Sequence, residues 1–293
     1  MTNMDILFDR VAAKGAVCLG LDTSPEYLPE SLAARFPKPA GAVFEFNRNI
    51  IDATADAVAC YKVQIAYYEA MGLDGMRVFA ETLRYVKAAG VPVITDCKRG
   101  DIKASAEMYA KAHLGAGSDF ESDFITLNPY MGLDTLEPYE PYLERGKGVF
   151  VLLRTSNPGW RDIQGLPLAV GGKVYSTVAV KIARLGEKYM GEKGFSSVGM
   201  VVGATDGGAI DADAAEMLRN ALGGTFFLVP GYGAQGGAAR DAAYYFKNGN
   251  GGAVNSSRAI LTAYQSQPDG EERYAHYARE EVLRMAKDIG DNL

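Results

Sequence analysis

"VPVITDCKRGDIKASAEMYAKAHLGAG", residues 91–117, holds one structural unit and one puzzle. Val91, Val93 and Ile94 open it as an apolar strand entering a core. "KASAEMYAKAHL" follows with helical character, and Gly115 and Gly117 stop it. Between strand and helix, within eight residues, stand Asp96, Lys98, Arg99, Asp101 and Lys103. Charges at the end of a buried strand are costly to desolvate unless they pair with each other or with a ligand.

The rest of the chain repeats this strand-then-helix unit. Upstream, a helix over about residues 3–14 follows Asn3 as N-cap. "AVCLGLD" is a strand ending at Asp22, and a connection rich in proline (Pro25, Pro29, Pro37, Pro39) leads to the helical pattern of "AVFEFNRNIIDATADAV". "CYKVQ" is a short strand carrying Lys62, and "GMRVFAETLRYVKAAG" is a helix. Downstream, "SDFITLNPY", "KGVFVLLRTS", "FSSVGMVVGAT", "TFFLVPGYG" and "GGAVNSS" are strands, and helical segments separate them. The segment "DTLEPYEPYLERG" is helical but broken by proline. Eight strands alternate with helices, and their apolar runs suit burial on both faces, as a parallel sheet requires. The expected fold is α/β: a (β/α)8 TIM barrel forming a single domain over residues 1–293, with an extra helix at the N-terminus. A doubly wound open sheet is the competing topology. It would favour a glycine fingerprint after the first strand, and "GLDTSPEYLP" is not one.

Composition narrows the function. The chain has 293 residues, a net charge of −6 and an ordinary apolar content, with a pI near 5.1. An acidic chain argues against nucleic acid as a partner, although a local basic patch can still hold a small anion. No apolar run approaches the roughly 20 residues of a membrane span. The N-terminal "MTNMDILFDRVAAKG" has acids where a signal peptide has bases. A soluble, cytoplasmic protein without a membrane partner is expected. Cys18, Cys60 and Cys97 lack CxxC spacing and are expected to be buried, reduced thiols. His113 and His276 sit in helical stretches away from the charge clusters, which argues against metal or triad roles.

Barrel enzymes place their chemistry at the C-terminal ends of their strands. Here the first strand delivers Asp22, the second Lys62, the third Asp96, Lys98 and Asp101, and the fifth Ser156 and Asn157. Strand alternation puts Asp96 and Lys98 on one face and turns Cys97 away. A salt bridge on the barrel rim would explain that pair alone. Together with Lys62 and Asp101 it becomes an alternating charge array, which can hold a lysine protonated and fixed for donation to a carbanion. Arg99 and Lys103 are expected to face solvent or serve structure. A second signal follows strands seven and eight, where "PGYGAQGGAA" and "GAVNSSRAI" offer backbone N–H groups, the Gln235 amide and the Arg258 guanidinium. Either stretch alone could be a mobile loop, but together they occupy the usual barrel phosphate site.

"DCKRGDI" with the following "SAEMYA" resembles the D-x-K-x-x-D-I signature of the orotidine 5′-monophosphate decarboxylases. "LGLDTSP", "YKVQ", "RTSNPG", "VPGYGAQGG" and "NSSRAI" continue the likeness in the family's order, from about Leu19 to Ile260. "FEFNRNIIDAT" and the chain length resemble the longer bacterial subgroup. The resemblance implies decarboxylation of orotidine 5′-monophosphate to uridine 5′-monophosphate, the last step of de novo UMP synthesis. It implies no metal, no organic cofactor, and a homodimer with shared active sites. By motif, Lys98 is the proton donor to C6 of the pyrimidine and Asp96 sits beside the departing carboxylate. Lys62 and Asp101 complete the catalytic network, with Asp101 reaching the other subunit's site. Asp22 and Lys62 hold ribose hydroxyls, while Gln235 and Arg258 hold the phosphate. Ser105, Ser156 and Pro230 are substrate-binding, with Ser156 against the pyrimidine. Ser105 stands where many members have threonine, and Cys97 where many have alanine.

Two rival functions share this scaffold. A metal-dependent, hexulose-phosphate-synthase-like aldolase has a similar D-x-K-x-x-D core but an acidic metal ligand where this chain has Lys62, and a lysine there repels a divalent cation. A non-catalytic nucleotide-binding module would be expected to lose a member of the charge tetrad, and all of Lys62, Asp96, Lys98 and Asp101 are present.

Overall fold

The computed structural model describes residues 1–204, 212–232 and 239–293. Eight parallel strands close into a barrel in chain order. They are β1 (Val17–Gly20), β2 (Cys60–Gln64), β3 (Val93–Arg99), β4 (Phe124–Leu127), β5 (Gly148–Arg154), β6 (Val198–Val202), β7 (Phe227–Pro230) and β8 (Gly252–Ser256). The last strand returns to the first, with Val254 opposite Val17 and Asn255 opposite Cys18. Every described residue of β1, β4, β6 and β8 is buried, as expected of strands covered by helices outside and by packed side chains within.

The helices between the strands show why the sequence closes this way. Gly72–Ala88 buries Phe79, Leu83 and Val86, a spacing of three to four residues that presents one stripe to the sheet. The proline-broken stretch after β4 becomes a 3-10 helix, Leu133–Tyr139, followed by a single α turn, Glu140–Leu143. Pro138 and Pro141 cannot donate to an α ladder. The N-terminal helix spans Asn3–Lys14, but its cap is Thr2 rather than Asn3. Thr2 Oγ1 accepts from the Asp5 N–H while Asp5 accepts from the Thr2 N–H, a reciprocal capping box. The Asn3 amide reaches across to Asp123 instead.

Below the site the barrel is filled by rings. Phe124, Phe150 and Phe226 each precede a cavity-lining residue (Thr126, Leu152, Leu228) by two positions, so they form the layer beneath it. Phe124 and Phe150 lie 5.3 Å apart and Phe150 and Phe226 6.4 Å apart. Gly148 makes room for them, because a Cβ there would stand 2.4 Å from the Phe124 ring. Cys18 and Cys60 are buried and unbridged, while Cys97 is half-buried. His113 packs its ring against Phe120. His276 is not remote from charge, since its Nε2 lies 3.1 Å from Glu280 one helical turn away.

Candidate active site

A cavity of about 580 Å³ opens at the C-terminal ends of the strands, within the roughly 300–1,000 Å³ of small-molecule sites. Its polar wall is an alternating row of charges from β1, β2 and β3. Lys62 Nζ stands 2.8 Å from Asp22 Oδ1 and 3.1 Å from Asp96 Oδ2. Asp96 Oδ1 lies 2.7 Å from Lys98 Nζ. Asp22 Oδ2 also accepts from Ser257 Oγ at 2.9 Å. That contact requires Gly20, where a Cβ would fall 2.0 Å from the same hydroxyl.

Burial and pairing compete in this row. Desolvation pushes the Asp96 carboxyl up, but the ammonium groups of Lys62 and then Lys98 outweigh it and bring it down to about 2. Burial likewise disfavours the Lys62 ammonium, and the carboxylates of Asp22 and Asp96 reverse that and hold it above its ordinary range. Both groups are therefore ionised at neutral pH. A divalent cation seated at Asp22 and Asp96 would have to displace the Lys62 ammonium that bridges them, so this donor set does not fit a metal.

Asp96 and Lys98 meet, but not through simple strand alternation. Thr95 pairs with Ile125 and Arg99 with Leu127, so three residues of β3 oppose Thr126 alone. In this bulge Lys98 takes φ 45°, a left-handed conformation that costs a non-glycine residue roughly 1–2 kcal/mol. The turn folds the Lys98 side chain back toward Asp96 and over the cavity, while Cys97 does not line it. Arg99 is held by Glu69 at 3.3 Å and lies over the Tyr109 ring, in keeping with a structural role.

Of the residues expected from sequence, Asp22, Lys62, Asp96, Lys98, Ser156, Pro230 and Arg258 line this one cavity. Asp101 and Ser105 do not. Asp101 accepts from the Ile102 N–H at 2.8 Å, and Ser105 is exposed on the helix Lys103–Leu114. Gln235 lies outside the described residues. Three contributors were not anticipated. Gln64 donates to Asp96 Oδ2 at 2.9 Å, Thr126 donates to Asp96 Oδ1 at 2.9 Å, and Ser257 holds Asp22. Gln64 was within reach of sequence reasoning, being two residues past Lys62 on the same strand face.

A parallel barrel with fixed ammonium and carboxylate groups at its strand ends, and an arginine on the same cavity, has the layout of a barrel enzyme acting on a small charged ligand. A family model described as orotidine 5′-phosphate decarboxylase / HUMPS family matches residues 15–272, and the chain belongs to that family. It is 52% identical over 288 residues to the orotidine 5′-phosphate decarboxylase of Clostridium novyi, covering 98% of each chain. It is 53% identical to that of Clostridium tetani, covering 98% of this chain and 97% of the other. The solved OMP decarboxylase of Leishmania donovani is similar at 30% identity with a TM-score of 0.72, covering 98% of this chain and 99% of that one.

Proposed function

We propose that Lys98 is the proton donor in the reaction this family membership assigns. The chain catalyses decarboxylation of orotidine 5′-monophosphate to uridine 5′-monophosphate and carbon dioxide, in UMP biosynthesis. Loss of the carboxyl group leaves an electron pair at C6 in the plane of the ring, where delocalisation is poor. An ammonium fixed beside C6 stabilises that charge as it forms and then delivers its proton to the carbon. The observation that carries this reading is the continuous row Asp22–Lys62–Asp96–Lys98, which holds the Lys98 side chain against Asp96 at the cavity wall. In this reading Asp96 lies beside the departing carboxylate, Asp22 and Lys62 hold ribose hydroxyls, and Ser156 faces the pyrimidine. Pro230 borders the phosphate end, where Arg258 and Gln235 bind.

The active unit in this proposal is a homodimer in the cytoplasm, each chain one catalytic domain over residues 1–293, acting on a diffusible nucleotide without a metal or organic cofactor. Asp101 and Ser105 serve the site of the partner subunit. Support comes from their position beside the end of β3 but off their own cavity, and from the exposed apolar side chains of Ile102 and Met108 beside them in the chain and of Tyr130 and Met131 after β4. No described helix is long and apolar enough to cross a membrane. The test is direct: purified protein should consume orotidine 5′-monophosphate, followed by its absorbance, with one equivalent of carbon dioxide released. A protein that binds the nucleotide and leaves it intact would overturn the reading in favour of a binding module.

A further inference from the structure

Thr126 is a buried residue of β4 that no charge pattern marks. It stands alone opposite the three bulged residues Asp96, Cys97 and Lys98. A bulge takes backbone N–H groups out of the strand ladder, and each needs another partner when buried. Thr126 Oγ1 accepts from the Cys97 N–H at 3.0 Å and from the Lys98 N–H at 2.9 Å. An amide N–H can only donate, so these two bonds occupy both lone pairs of the hydroxyl. Its own proton is thereby committed to the remaining contact, Asp96 Oδ1 at 2.9 Å. One hydroxyl thus uses its full capacity to satisfy the bulge and to order the central carboxylate.

We propose that Thr126 is a positioning residue for proton delivery: its hydroxyl holds both the left-handed turn at Lys98 and the Asp96 carboxylate in the arrangement that aims the Lys98 ammonium at the reacting carbon. The inference rests on the reading of Lys98 as proton donor. Asp96 accepts from Lys62 and Gln64 on one oxygen and from Lys98 and Thr126 on the other. Remove the hydroxyl and two bulge amides lose their acceptor, while Asp96 Oδ1 keeps Lys98 alone. The bulge is then free to slip toward regular pairing, and a slip of one residue turns a side chain to the opposite face. A misplacement of about 1 Å at a reacting group can cost on the order of 100-fold in rate. The loss should fall on kcat, because Arg258 binds the substrate from β8 without touching this bulge.

Two substitutions separate the hydroxyl from the rest of the side chain. Thr126→Val keeps shape and β-branching and removes the hydroxyl, whereas Thr126→Ser keeps the hydroxyl and removes the methyl. Both are compared with wild type and Lys98→Ala by steady-state kinetics on orotidine 5′-monophosphate and by amide hydrogen exchange across residues 91–105. Thr126→Val should lower kcat roughly 10- to 100-fold with KM within about threefold, and should speed exchange at the Cys97 and Lys98 amides. Thr126→Ser should stay within about fivefold of wild type and keep those amides protected. A Thr126→Val enzyme within about twofold of wild-type kcat, a serine variant as impaired as the valine one, or a loss confined to KM would each overturn the proposal. If Thr126→Val does not fold, Thr126→Cys replaces it: a poor hydrogen-bonding thiol of similar size should lose at least about tenfold in kcat, and near-wild-type turnover would overturn the proposal. An active Lys98→Ala enzyme would instead overturn the proton-donor reading, and the exchange data would still judge the hold of Thr126 on the bulge.

Discussion

Lys98 Nζ stands 2.7 Å from Asp96 Oδ1 at a bulge in β3, with Lys98 in a left-handed conformation. The left-handed turn at Lys98 brings two side chains of the same strand end into direct contact over the cavity. Positive φ at a long side chain persists only where its surroundings over-determine it, and such positions cluster at functional sites. Lys98→Ala should therefore abolish decarboxylation while leaving affinity for the product nucleotide within about tenfold, since the phosphate contact proposed for Arg258 comes from the end of β8 rather than from β3. Titration calorimetry with uridine 5′-monophosphate and a turnover assay on the same folded sample check both halves. Substantial kcat in the variant would exclude Lys98 as the proton donor.

Activity should be indifferent to chelators. Lys62 bridges Asp22 and Asp96 and occupies the place a divalent cation would need. Turnover measured after exhaustive dialysis against a strong chelator should equal that of untreated enzyme. Activity that is lost there and restored by magnesium or zinc would favour an aldolase-like, metal-assisted reaction instead.

Arg258 opens the helix that follows β8 and lines the same cavity as the charged row of β2 and β3. Arg258→Ala should lower kcat/KM for orotidine 5′-monophosphate by roughly 10- to 100-fold, the worth of charge-assisted bonds to a phosphate. The phosphate-free nucleoside should react poorly and almost equally with both enzymes. A comparable loss toward that nucleoside would remove Arg258 from the phosphate site.

The barrel itself was legible from sequence because its signal is repeated: each apolar run ends in polar residues and gives way to a helix. Strand ends located in this way also located Asp22, Lys62, Asp96, Lys98, Ser156, Pro230 and Arg258, all of which line the cavity. Relations between strands were not legible. Thr126 and Ser257 are ordinary hydroxyl residues in sequence, and they matter only because register sets one against the β3 bulge and the other against Asp22. The bulge was equally hidden, since a regular period of two also places Asp96 and Lys98 on one face. The helix cap was misassigned to Asn3 because both Thr2 and Asn3 are good caps, and only the reciprocal bond with Asp5 chooses between them.

Acid stability should carry the signature of His113. Burial, with the nearby Arg99 charge adding to it, depresses this imidazole to about 4. Among the described residues its Nδ1 has no hydrogen-bond partner. In the unfolded chain it titrates near the ordinary 6.5, so below that pH the unfolded state binds the extra proton and the folded state does not. The stability contributed by the neutral ring is thus full above about pH 6.5 and is lost as pH falls toward 4, with a ceiling of roughly 3 kcal/mol. Asp96 and Glu121, both held down to about 2, act at lower pH. Denaturant unfolding from pH 7 to 4.5 should fall more steeply for wild type than for His113→Leu, whatever the offset between the two curves. Parallel curves would show that His113 does not govern this window.

Asp101 should act in trans. It lies three residues beyond Lys98, off the cavity of its own chain, and its carboxylate accepts from the neighbouring Ile102 N–H at 2.8 Å. Lys98→Ala and Asp101→Ala homodimers should each be nearly inactive. Mixing the two variants under conditions that exchange subunits creates heterodimers in which one site inherits both lesions. The other site combines an intact Lys98 with the partner subunit's intact Asp101. Equal mixing makes about half of the dimers heterodimers, each with one sound site of two, so recovery should approach roughly a quarter of wild-type activity if the sites are independent. If Asp101 served its own chain, every site in the mixture would carry a lesion and no activity would return. Mass spectrometry of the intact dimers shows whether exchange has occurred, and exchange without recovery would rule out the shared site.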